Sequence, residues 1–176
     1  MPRNIEIKAV ISNFGAFLHK VKELSGATDT TFKQVDTFYE VPNGRLKLRE
    51  QEGQDPQLVF YDRPDEDGPK LSDYECCNLP ADTNLKSVLS RAMKVKGVLK
   101  KSRTLVMIGQ TRVHIDRVEG LGDFMELEVQ LSDSETVEEG EKTAKSLMEK
   151  LGVPEENLLR GAYMDHVLVK QAENRL

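Results

Sequence analysis

Long apolar runs are missing from this 176-residue chain. No stretch reaches the ~20 apolar residues that a membrane-spanning helix needs, and the opening MPRNIEIKAV lacks the apolar segment of a signal peptide. Cysteine is scarce, and the two present, Cys76 and Cys77, are adjacent. Neighbouring cysteines staple nothing distant and are too few for a metal cluster, which fits strand residues in a reducing, cytoplasmic setting. Excess positive charge is lacking as well: 25 Lys and Arg stand against 30 Asp and Glu, for a formal net charge of −5. That balance argues against a general nucleic-acid binder or a membrane-surface protein, so no nucleic acid and no membrane are expected as partners. Any anion site must be a local concentration of basic residues in an acidic protein. Low-complexity tracts, repeats of solenoid length and linkers are absent, and one domain over residues 1–176 is the simplest organisation. No nucleophilic-serine elbow occurs, which leaves covalent hydrolysis by a triad without support.

What is present is a succession of short strands. Alternating apolar and polar residues predict strands over Asn4–Ile11, Thr30–Val41, Arg45–Gln51, Gln57–Arg63, Lys70–Cys77, Gly97–Ile108, Thr111–Val118 and Phe124–Leu131. Turn signals separate several of them, including Pro42-Asn43-Gly44 and Asp67-Gly68-Pro69. Helical spacing marks Asn13–Leu24, stopped by Gly26, and also Asn84–Met93 and Ser134–Leu151, the last entered through Thr136 and closed by Gly152. A final short helix is expected near Ala162–Lys170. Eight strands in hairpin-like order with about four helices predict an α+β protein, a closed eight-stranded antiparallel β-barrel with helices packed on the outside.

The decisive pattern is charge of both signs on one face of successive strands, since residues two apart in a strand point the same way. Asn4, Glu6 and Lys8 share a face. So do Arg45, Lys47 and Arg49, opposite Leu46 and Leu48. Lys101 and Arg103 align, as do Arg112, His114 and Asp116, and then Glu126 and Glu128. Two arrangements satisfy this: a sandwich with a solvated outer face, or a barrel whose charged faces converge on a tunnel. In a tunnel, Lys8, Arg45, Lys47, Arg49, Arg63, Lys101, Arg103 and Arg112 would crowd together. Like charges about 6 Å apart at an effective dielectric near 20 repel by roughly 3 kcal/mol per pair, which carboxylates relieve in part and a polyanion relieves further. Arg forks and Lys ammonium groups suit phosphate oxygens. Glu6, Asp116, Glu126 and Glu128 suit a hard cation such as Mg²⁺ or Mn²⁺. Together they describe a phosphoryl-transfer site.

These residues also match a family. Asn-Ile-Glu-Ile-Lys at 4–8 resembles the Glu-x-Glu-x-Lys signature of the CYTH, or triphosphate tunnel metalloenzyme, superfamily. The resemblance continues through Asp36-Thr37-Phe38-Tyr39, Leu46-Lys47-Leu48-Arg49 and Lys101-Ser102-Arg103. It is strongest over Val113-His114-Ile115-Asp116, Gly120-Leu121-Gly122-Asp123-Phe124 and Glu126-Leu127-Glu128, and closes with Ala162-Tyr163-Met164-Asp165. It implies an eight-stranded tunnel whose Lys and Arg side chains grip a triphosphate, with metal held by Asn4, Glu6, Asp116, Glu126 and Glu128. Glu6, Lys8 and Glu128 are the residues expected to carry turnover. In the family's triphosphatases a metal-positioned water attacks the terminal phosphorus; in its class IV adenylyl cyclases the ribose 3′-hydroxyl attacks the α-phosphorus. Asn4 stands where the signature has its first Glu; an amide oxygen can ligate a cation but brings no charge. Arg63 stands where many relatives have Lys, which keeps the charge.

Smaller candidates complete the set. His114 fits either a ligand contact or a structural hydrogen bond. Lys70 is placed with the phosphate-binding cations, although the parity of its strand leaves Asp73 and Glu75 as the alternative inward pair. Three functions follow: hydrolysis of inorganic tripolyphosphate or a small organic triphosphate, which is favoured; cyclisation of ATP; or a non-catalytic polyphosphate or nucleotide-binding module. Both a monomer and a homodimer are compatible with the sequence.

Overall fold

The computed structural model describes residues 2–62 and 68–159. Its elements are β1 Arg3–Val10, α1 Phe14–Ser25, β2 Thr30–Tyr39, β3 Arg45–Gln51, β4 Gln57–Asp62, β5 Lys70–Asn78, α2 Leu85–Ala92, β6 Val95–Ile108, β7 Thr111–Val118, β8 Gly122–Leu131 and α3 Val137–Lys150, followed by a 3₁₀ turn at Glu155–Asn157. The strands close into a barrel in the order β1-β5-β4-β3-β2-β6-β7-β8, and every neighbouring pair is antiparallel. Closure gives each strand two partners and leaves no unpaired edge. The helix expected near Ala162–Lys170, the Ala162–Asp165 motif and Arg63 lie outside the described residues.

The core lies outside the barrel. Ile5, Ile7, Val113, Ile115, Met125, Leu127 and Val129 project outward and meet Phe17 and Val21 of α1 and Ala144, Leu147 and Met148 of α3. Burial of these side chains contributes about 1.5–3 kcal/mol each for the larger ones. Helix α3 begins with a reciprocal capping box: Thr136 accepts from the Glu139 amide, and the Glu139 side chain accepts from the Thr136 amide. Those bonds satisfy two of the helix's unpaired amides. Gly140 lets α3 lie almost on the strands, since a Cβ there would sit 2.6 Å from both Ile5 Cγ1 and Leu131 Cδ2.

With the apolar faces turned outward, alternation turns the charged faces inward. One end of the interior is the exception. Phe38, Leu99, Val118 and Phe124 continue the inward parity of β2, β6, β7 and β8 and pack together, joined by Tyr61, Leu121 and Leu159. This apolar cluster sits at one end of the barrel interior.

Candidate functional site

The barrel interior holds a cavity of about 780 Å³. Its wall includes six cations, Lys8, Lys47, Arg49, Lys101, Arg103 and Arg112, and four carboxylates, Glu6, Glu52, Glu126 and Glu128. Lys47 of β3, Arg103 of β6 and Glu126 of β8 therefore share one enclosed space, and the solvated-sandwich arrangement does not occur.

Three ion-pair groups organise this charge. In the first, Asp36 of β2 accepts from Arg49 Nε and Nη2, both at 2.8 Å, with Lys47 Nζ at 3.3 Å and Lys101 Nζ at 4.0 Å. Asp36 is directly opposite Arg49 across the β2–β3 ladder, which sets up the two-point contact. Burial pushes the Asp36 carboxyl up, but Arg49, Lys47 and Lys101 outweigh it and hold the group well below the usual carboxylate range. The second group centres on Arg103, which donates to Asp116 Oδ1 at 2.8 Å and Oδ2 at 2.7 Å, and from Nη2 to Glu126 Oε2 at 3.1 Å. Lys8 Nζ lies 3.9 Å from the same Glu126 oxygen. Asp116 is driven down to about 2: burial opposes ionisation, and Arg103 and Lys101 prevail. In the third, Arg112 Nε donates to Glu128 Oε2 at 2.9 Å.

The lysines are lowered too, which for them favours the neutral form. Burial, reinforced by Arg49, lowers Lys47 to about 8, with Asp36 pulling the other way. Burial and Arg103 likewise take Lys101 well below its ordinary value. His114 falls to about 4 through burial and the Arg103 charge, so its imidazole is neutral near pH 7. These cations are held close together at a cost in solvation that an anionic ligand would offset.

The expected site residues take distinct places. Asn4, Glu6, Lys8, Lys47, Arg49, Lys101, Arg103, Arg112, His114, Glu126 and Glu128 all line the cavity. Arg45 is not in the lining; its guanidinium carbon stands 5.9 Å from the Tyr61 ring centroid. Lys70 is buried and donates to the Leu159 carbonyl at 3.3 Å, while Asp73 and Glu75 are exposed, so the parity of β5 points Lys70 inward. Asp116, expected among the metal ligands, is fully buried, doubly engaged by Arg103 and outside the lining. Ligand atoms of His114, Glu126 and Glu128 lie within 4.8 Å of one another, a set that does not include Glu6. Cys76 lines the cavity, and both cysteines are free.

Sequence reasoning did not assign Asp36 a role, although it anchors Arg49 and Lys47. The signal was available: Gln34, Asp36 and Phe38 form an inward row on β2, and an acid there faces the basic triplet of β3. Phe32 and Leu105, which give the cavity wall an apolar segment, were missed because isolated apolar residues on a polar face resemble noise.

The profile of the CYTH domain matches residues 2–163. The chain belongs to the CYTH domain family. A relative from Methanocaldococcus jannaschii, named as a candidate adenylate cyclase, is 25% identical over 92% of this chain and 96% of its own. A solved structure from Pyrococcus horikoshii superimposes with a TM-score of 0.80 at 25% identity, covering 92% of this chain and 98% of that one. A Vibrio parahaemolyticus structure, also named as a candidate adenylate cyclase, gives 0.74 at 20% identity over 92% of this chain and 95% of its own. CYTH proteins are metal-dependent enzymes, and His114, Glu126 and Glu128 form a group that could hold a metal ion. No helix among the described residues is long and apolar enough to cross a membrane.

Proposed function

We propose that the tunnel binds a triphosphate and, with a divalent cation, hydrolyses it, the substrate being inorganic tripolyphosphate or a small organic triphosphate. The observation that carries this is the convergence of six cations and four carboxylates on one cavity of about 780 Å³. Arg49 spends Nε and Nη2 on Asp36, which holds the plane of its guanidinium and leaves Nη1 for a ligand oxygen. Such pre-set donors need little reorganisation when charge develops on phosphoryl oxygens. Lys8 projects beside Glu126 and adds a mobile positive charge to the same wall. Glu6, Glu126 and Glu128 keep the cations apart when the site is empty, and Glu126 is held ionised well below its ordinary range because Lys8 and Arg103 overcome burial. A bound cation would supply Lewis-acid polarisation of the phosphoryl group.

A second reading, cyclisation of ATP, is favoured by Phe32 and Leu105 in the cavity wall, which offer apolar surface that a bare phosphate chain does not use. The M. jannaschii relative's name agrees with it. One assay separates the two. Purified protein with Mg²⁺ or Mn²⁺ is expected to release phosphate from tripolyphosphate faster than it forms cyclic AMP from ATP. Cyclic AMP as the dominant product would replace the first reading with the second, and binding without turnover would reduce the protein to a binding module.

A further inference from the structure

We infer that His114 is a direct metal ligand, so that the tunnel holds a first-row transition cation on an imidazole nitrogen and two carboxylates in preference to Mg²⁺. The inference deepens the metal-assisted reading above and rests on it. It starts from an unpaired atom. His114 is 5% exposed, lines the cavity, and its Nδ1 is buried without a hydrogen-bond partner. A buried polar atom left unsatisfied destabilises the fold, and a cation on an imidazole lone pair removes that cost.

The neighbouring carboxylates have an oxygen to spare. Glu126 uses Oε2 for both Arg103 and Lys8, and Glu128 uses Oε2 for Arg112. Oε1 of each lies outside these pairs. The three side chains come from adjacent strands: His114 is directly opposite Glu126 across the β7–β8 ladder, and Glu128 is two residues further along the same face. Their ligand atoms lie within 4.8 Å of one another, the spread of donors around a single ion.

The donor set then decides the metal. Three oxygen donors would favour Mg²⁺, Ca²⁺ or Mn²⁺, whereas an imidazole nitrogen shifts affinity toward the later first-row divalent ions.

The test uses the whole protein stripped of metal. Mn²⁺ is added and pulsed EPR is recorded; a directly coordinated imidazole gives a strong ¹⁴N modulation. Calorimetric titrations with Co²⁺ and with Mg²⁺ are compared for wild type, His114→Gln, and Glu126→Gln. The expected result is nitrogen coupling in wild type and its loss in His114→Gln. Co²⁺ affinity should drop about tenfold or more, while Mg²⁺ affinity changes far less. Glu126→Gln should weaken both metals. Absence of nitrogen coupling in wild type overturns the inference whatever the variants do, and so does an equal loss of Co²⁺ and Mg²⁺ affinity in a folded His114→Gln. In either event, Glu126→Gln still weakening both metals leaves the metal-assisted reading standing. If no metal binds wild type at all, that reading fails as well.

Discussion

Raising the pH from 7 to 9 perturbs one tunnel cation before most others, and Lys47 is that group. Burial beside Arg49 brings its ammonium from 10.5 down to about 8. At pH 8, therefore, about half of the ligand-free molecules carry Lys47 neutral. A triphosphate places negative charge next to the amine and restores the proton, so binding at pH 8 takes up about half a proton at this site. Lys101, lowered in the same way, adds to the uptake. The stability dependence has the opposite sign. Because the folded-state value lies below the unfolded one, the unfolded chain holds more protons between about pH 8 and 10.5. The Lys47 contribution to stability thus rises with pH across that window, by up to about 3 kcal/mol, while affinity for the anion falls. Calorimetry with a non-hydrolysed triphosphate analogue, in two buffers of different ionisation enthalpy at pH 8, measures the proton count. Comparing wild type with Lys47→Arg cancels the ligand's own protons. Equal uptake by the two proteins would refute the reasoning, because Arg remains charged throughout this range.

Glu6→Ala and Glu128→Ala should each abolish metal-dependent phosphate release while circular dichroism melts stay close to wild type; full activity in both would remove them from the site. Asp36→Ala strips Arg49, Lys47 and Lys101 of their shared counter-charge and should lower stability by about 3–5 kcal/mol, read as a shift in the urea midpoint. An unmoved midpoint would show that the cations find other partners. Gly140→Ala gains about 1 kcal/mol of helix propensity but forces a methyl against Ile5 and Leu131, and overpacking of about 1–3 kcal/mol should prevail. A raised melting temperature would mean that α3 shifts outward freely.

Much of this architecture was legible because the barrel wall alternates so regularly. The bounds of β3 and β7 follow directly from Arg45-x-Lys47-x-Arg49 and Arg112-x-His114-x-Asp116 between apolar partners. Helix α3 starts three residues later than the pattern suggested, since Thr136 acts as the cap and stays outside the helix. Strand β6 starts two residues earlier, because a register shift at Phe38/Tyr39 lets Val95 pair with Tyr39. Strand order was less accessible. Hairpins such as β7–β8 are local, but the pairings of β1 with β5 and β8, and of β2 with β6, join distant segments and depend on the whole assembly. Within the site, residue types located the cations. They could not show that Asp116 would be spent on Arg103, or that a His114 nitrogen would lie within 4.8 Å of Glu126 and Glu128 oxygens. Those outcomes depend on which neighbour each inward row meets across the ladder.

The apolar cluster of Phe38, Leu99, Val118 and Phe124 has a kinetic consequence. Were the proposed triphosphate cleaved in this cavity, its charged fragments would meet rings and aliphatic chains on that side, and the piece lodged against them would compete with fresh substrate for the same cations until it cleared.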